Sequence, residues 1–243
     1  MCERFYSLTH GIGVDVLKIT MNLAKLFLGL FLFSLGAVCT INAHLGLQPW
    51  DVLHQGLSRT LHMTIGMANI LVAFLIVIVN RIFGEKIGFG TLANMLFIGL
   101  FMDMLMLNHL VPEFQNLSAR ILMVLAGLVI ISFGTYLYIS AGFGAGPRDG
   151  LMVVLARKTK QSVRLIRTCN EGVALLLGWI LGGSVGIGTV IMVSLIGIFV
   201  QATFKLCRFD VKTVHHIYLD RHMFEGFVSK NGQMNGGNDH HAI

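Results

Sequence analysis

The chain has 243 residues, of which 55% are hydrophobic and only 12% charged, whereas an ordinary soluble domain carries about 25% charged residues. With a mean hydropathy of +0.75 it has more apolar surface than a soluble domain can bury. This excludes a soluble enzyme and points to an all-α polytopic membrane protein. The net charge of +6 does not indicate nucleic acid, because the Lys and Arg residues fall in short bursts between apolar runs rather than on one amphipathic face.

In chain order, residues 1–22 read as a polar, mixed-charge leader. The apolar run that follows, 23–43, is longer than the roughly 7 to 15 residues of a signal-peptide core and reads as a first span. Next comes a glycine-containing, mostly apolar segment ending at Pro49. A stretch of some twelve helical residues, 50–61, reaches only about 18 Å. Residues 66–82 and 88–107 are each long enough to cross about 30 Å of hydrocarbon, the first with some strain. A connecting loop, 108–118, leads to a second unit, 119–206, and a polar tail occupies 207–243.

The second unit repeats the first. Displacing the chain by 98 residues aligns positions 25–103 with 123–201 without a gap, and 20 of the 79 pairs are identical. The matches fall where geometry is demanding: Ser34 and Gly36 with Ser132 and Gly134, Gly46-x-x-Pro49-x-Asp51 with Gly144-x-x-Pro147-x-Asp149, and Gly88-x-Gly90-Thr91 with Gly186-x-Gly188-Thr189. Duplication is the simplest cause. Unit two therefore has spans at 119–141, 163–181 and 186–205 and its own short helix at 148–159. Pro49 and Pro147 suit a first helical turn, where a missing N–H costs nothing, and Asp51 and Asp149 suit the positive end of the helix dipole.

Basic residues mark cytoplasmic loops. Between the short helix and the next span, unit one carries Arg59 alone, whereas unit two carries Arg157, Lys158, Lys160, Arg164 and Arg167. In the following turn the bias reverses, with Arg81 and Lys86 in unit one and none in 182–185. Corresponding loops thus prefer opposite sides. This favours two inverted repeats, each of three spans and a re-entrant half-helix, with both termini cytoplasmic. Eight spans in two parallel repeats, and short helices lying in the interface, are the alternatives.

The pattern Gly46-Leu47-Gln48-Pro49-Trp50-Asp51-Val52-Leu53, then Thr64-Ile65-Gly66, then Gly88-Phe89-Gly90-Thr91, resembles the bacterial YczE/YitT-type integral membrane proteins over roughly residues 20–206. The resemblance implies a location in the bacterial cytoplasmic membrane. It also implies transport, including that of basic amino acids such as arginine, as one role. Unit two departs from the pattern by placing Arg148 where unit one has Trp50.

Polar residues within membrane spans are costly and so become candidate sites. Asp51 and Asp149, with their neighbours Trp50 and Arg148, would meet near a pseudo-two-fold axis if both half-helices start near the midplane, as in repeat-built transporters. Of the two carboxylates, Asp51 stands beside a tryptophan rather than an arginine and is expected to be the more sensitive. Glu171 follows Arg167 by four residues, which suits an intrahelical ion pair. Asp103 lies late in its span, where helix-end hydration or snorkelling would accommodate it. Asn69, Asn80, Asn94 and Asn170 suit hydrogen bonds between helices, and Gly29, Gly36, Gly127 and Gly134 suit close helix packing.

No soluble-enzyme constellation is present, and no metal site or cofactor is readable. Cys2, Cys39, Cys169 and Cys207 form no C-x-x-C pair, and the glycine-rich turns lack the Lys-Ser/Thr of a phosphate loop. His240-His241 lies in a polar end that reads as a tail, and upstream of it residues 211–228, which include His215-His216, read as a candidate amphipathic helix. The expected partners are the bilayer and a small cationic or zwitterionic solute. The leading reading is a transporter of that solute. A membrane scaffold or regulator and a passive channel are the other readings, and a homo-oligomer is left open.

Overall fold

The computed structural model describes residues 2–209, with side-chain surroundings from residue 19 onward. The candidate helix over 211–228 and the histidine pairs of the tail lie outside the described residues. Among the described residues the regular elements are eight α-helices: α1 Cys2–Asn42, α2 Pro49–Leu61, α3 Ile65–Ile82, α4 Phe89–Leu107, α5 Leu117–Ser140, α6 Pro147–Thr159, α7 Val163–Ile180 and α8 Ile187–Leu206. Five segments are long and apolar enough to cross a membrane: Ile19–Asn42, Ile65–Ile82, Phe89–Leu107, Leu117–Ser140 and Ile187–Leu206. Their outward faces carry exposed side chains such as Ile82, Val190 and Leu206, as lipid contact requires. The sixth expected span, α7, matches α3 at 18 residues but carries Arg164, Arg167 and Glu171, so its hydropathy is interrupted near its start.

The two short helices begin and end for legible reasons. Each has 13 residues and a proline in its first turn, giving a length of about 20 Å. They stop where His62 and Lys160 take left-handed backbone angles, φ 54° and φ 56°, a common way to end a helix.

The core is the crossing of α1 and α5. A Cβ on Gly29 would lie 2.5 Å from Tyr138 N and 2.9 Å from Gly134 O, and one on Gly36 would lie 2.6 Å from Gly127 O. The early glycine of one helix thus meets the late glycine of the other, so α1 and α5 run antiparallel. These glycines serve the close packing expected of them. The wall continues with α4 against α1 and α8 against α5.

The short helices pack across the repeat, α2 on α7 and α6 on α3, and their leading loops cross it too. Leu45 O accepts from Gly188 N at 2.7 Å, and Phe143 O accepts from Gly90 N at 2.7 Å. This is what the Gly-x-Gly-Thr motif does. A Cβ on Gly88 would lie 2.3 Å from Phe143 O, and one on Gly186 would lie 2.4 Å from Leu45 O. The loops need Gly46 and Gly144 because both take positive φ, 111° and 117°, in contact with Gly186 and Gly88 respectively.

The ends are tied as well. Arg59, closing α2, donates to Gly182 O, and its counterpart Arg157, closing α6, reaches Phe83 O at 3.4 Å and Glu85 at 3.5 Å. At the far end of α1, Asn42 donates to Val111 O at 2.9 Å, and Arg120 donates to the carbonyls of Ala43 and His44. The symmetry is incomplete, because α3 packs along α4 while no comparable contact joins α7 to α8 among the described residues.

Candidate functional site

Both short helices begin at one cavity of about 290 Å³, to which all eight helices contribute. Trp50 and Gln48 line it from the start of α2, and Gly146, Arg148 and Asp149 from the start of α6. Neither N-cap, Gln48 nor Gly146, offers a side chain to its helix. The amides of both first turns, which have no intrahelical partner, are therefore left for whatever occupies the space.

Five of the six residues expected at the site meet here, four of them in its lining and Asp51 next to it. Trp50, Arg148, Asp149 and Glu171 line the cavity. Asp51 is buried behind it, with Oδ1 3.4 Å from His54 Nδ1. Arg148 crosses to unit one instead of neutralising its neighbour Asp149: its guanidinium lies 4.9 Å from the Trp50 ring centre, and an Nη is 3.2 Å from His54 Nε2. Arginine has donors only, so Nε2 must be the accepting nitrogen. That tautomer carries its proton on Nδ1, which lies 3.4 Å from Asp51 Oδ1 and 3.4 Å from the side-chain amide of Asn69. Asp149 instead accepts from the Tyr138 hydroxyl at 3.2 Å. Glu171 receives Arg167 at 3.0 Å, the intrahelical pair its spacing suggested.

Asp103 does not join them. The reading of it as a hydrated or snorkelling group is corrected by two bonds: Oδ1 accepts from Gly66 N at 2.9 Å and Oδ2 from Thr64 Oγ1 at 2.5 Å. It satisfies the start of α3 from across the α3–α4 contact. Asn80 is also structural, donating to Pro147 O at 2.8 Å.

His54 and Tyr138 are the residues that the sequence reading missed. His54 is fully buried and stands three residues after Asp51, a spacing that shares a helix face and was the available signal. Tyr138 gives no such signal, because its partner lies beyond a loop. Among the described residues no group of His, Cys, Asp and Glu is placed to hold a metal ion.

Comparison with known proteins places the chain. It matches a family of unknown function, DUF6198, over residues 20–205. It is 35% identical over 179 residues to the uncharacterized membrane protein YczE of Bacillus subtilis (strain 168), covering 72% of this chain and 81% of the relative. It is likewise 35% identical over 180 residues to an uncharacterized protein of Haemophilus influenzae, covering 74% and 82%. A third relative, YyaS of B. subtilis, is 29% identical over 178 residues, covering 72% and 88%. No solved structure matches. With nearly all of its helical region inside that family's bounds, the chain is a membrane protein of the DUF6198 family and of the YczE type.

Proposed function

We propose that the protein is a transporter, rather than an enzyme, that carries a small cationic or zwitterionic solute across the bacterial cytoplasmic membrane, with the solute held between the starts of α2 and α6. One observation carries the reading: two helices too short to cross begin at the same cavity, and charged side chains line it among apolar spans. The volume, about 290 Å³, suits a molecule of amino-acid size.

Three contacts support an inverted pair of repeats with re-entrant half-helices. The antiparallel α1–α5 crossing is what inversion requires, since parallel repeats would make these two helices parallel. The bond from Asn42 to Val111 joins the end of α1 to the chain just after α4. The helices between must then cross an even number of times, which α3 and α4 do without α2. Likewise Arg59 touches the turn after α7, which α3, α4, α5 and α7 satisfy without α6. The distribution of Lys and Arg then favours both termini in the cytoplasm.

The test is flux of radiolabelled amino acids and of inorganic cations in proteoliposomes, with and without a proton gradient. Saturable, protein-dependent uptake of a member of this panel is expected. Its absence for the whole panel, with correctly inserted protein, would return the chain to the scaffold reading.

A further inference from the structure

We infer that the cavity selects its solute by a carboxylate, taken by Arg148, and that His54 is the residue that positions Arg148 to take it; this rests on the transporter reading above. Arg148 is a charge among apolar spans, where charges are normally paired, yet no carboxylate of the described residues lies within ion-pair distance of it, Asp51 and Asp149 attracting it only from farther off. The two acids beside it are engaged elsewhere, Asp51 at His54 and Asp149 at Tyr138. What holds Arg148 is neutral: the face of Trp50 and the lone pair of His54 Nε2. A guanidinium has five N–H donors in a planar fork that matches a carboxylate. One of them is used at His54 and the group lines the cavity. The fork of Arg148 thus has donors left for an acceptor that a solute carboxylate can supply.

The rest of the lining calls for the opposite charge. Asp149, bonded through Oδ2 to Tyr138, and Glu171, paired with Arg167, both line the cavity. The charged lining side chains are Arg148 and Arg167 against Asp149 and Glu171, so they sum to zero. A solute that carries both a carboxylate and an ammonium group keeps the balance, whereas a bare amine or metal cation leaves Arg148 unanswered. The solute class is therefore the free amino acids.

His54 acts through Arg148. It is fully buried on α2, and Asp51 on the same face fixes the imidazole with its acceptor nitrogen toward Arg148. The arginine comes from one repeat and its holder from the other.

The experiment measures binding to the purified full chain in detergent, by ligand-induced shift of thermal unfolding and by calorimetry. The probes are arginine, lysine and serine, their methyl esters, and the decarboxylated amines agmatine, cadaverine and ethanolamine. At least one free amino acid is expected to bind, with its ester and amine weaker by roughly 10- to 100-fold. Arg148→Gln should erase that preference by weakening the free acid alone, and Arg148→Lys, which keeps the charge but loses the fork, should fall between. His54→Gln should weaken the free acid in the parent but change nothing further in the Arg148→Gln background, a coupling that a purely structural role would not give. Amines or esters binding as tightly as free acids, an unchanged preference in Arg148→Gln, or no binding by any probe would overturn the inference. Proteoliposome flux of an amine that survives Arg148→Gln would overturn it while leaving the transporter reading standing.

Discussion

The contact of α2 with α7 and that of α6 with α3 occupy equivalent places in the two repeats, yet they are built in opposite ways. In the first, Val52 on the half-helix is fully buried against Gly178 and Gly183 of α7 and the turn after it. In the second, the half-helix carries the glycine, Gly150, and the facing residue is Asn80. Bulk has moved from one partner to the other, and the chemistry has changed with it. The α2 contact is close backbone packing at Gly178 and Gly183, with the polar bonds of Gln55 and Arg59 confined to the turn after α7. The α6 contact runs through the Asn80 amide, whose Oδ1 is buried without a partner beside a cavity of about 20 Å³, room for one water. Close glycine contacts tolerate no insertion, whereas a polar contact with a small void yields more readily. The half-helix with the cavity's own charges, Arg148 and Asp149, is thus the less rigidly seated one.

The largest effect should come from breaking the close contact. A Cβ on Gly178 would stand 2.3 Å from Leu53 N and 2.4 Å from Val52 C, all backbone. Gly178→Ala should cost about 3 kcal/mol or more and show as lost monodisperse protein after extraction. Gly150→Ala meets the Asn80 side-chain nitrogen at 2.8 Å, which can turn aside, and should cost about 1 kcal/mol. Gly172→Ala, with nothing within 4 Å, is the control. Equal losses for Gly178→Ala and Gly150→Ala in thermal unfolding would remove the distinction.

The next largest effects concern the two aspartates. From sequence, Asp51 is the more sensitive carboxylate because no arginine adjoins it. The position of the two groups favours the opposite order, since Asp149 lines the cavity while Asp51 is buried beside His54. Asp149→Asn should reduce solute affinity by roughly 10- to 100-fold. Asp51→Asn keeps an acceptor for His54 and should cost about threefold. Concentration dependence of uptake, normalised to inserted protein, checks the ranking, and a larger loss in Asp51→Asn would restore the sequence order.

The smallest effect tests the loop ties. Thr91 Oγ1 donates to Ala145 O at 2.7 Å and accepts from Gly88 N, whereas for Thr189 only the bond from Gly186 N is formed. Thr91→Val should destabilise by about 1 kcal/mol, and Thr189→Val by about half that, both read by thermal unfolding.

Much of this arrangement was legible in the sequence because it is written locally or twice. Pro49 and Pro147 mark the half-helix starts, and the Gly-x-Gly-Thr repeats mark a demanding geometry, although not the partner loops at Leu45 and Phe143 that create the demand. What was illegible depends on contacts far apart in the chain. Asp103 gives no hint of the Gly66 amide it satisfies, and Arg148 reads as the partner of the acid next to it rather than of His54. Nor does the repeat help with single occurrences. His54 corresponds to Met152 and Tyr138 to Thr40, so neither gains weight from its counterpart.

Inverted repeats require the two half-helices to enter from opposite sides of the membrane and to meet at one solute site. The most direct test is single-cysteine labelling at positions 62 and 160 in a cysteine-free background, with a membrane-impermeant maleimide added to intact cells or to inverted vesicles. His62→Cys should react only from outside and Lys160→Cys only from the cytoplasmic face. Reaction of both positions from the same side would contradict the inverted arrangement and, with it, a shared site between α2 and α6.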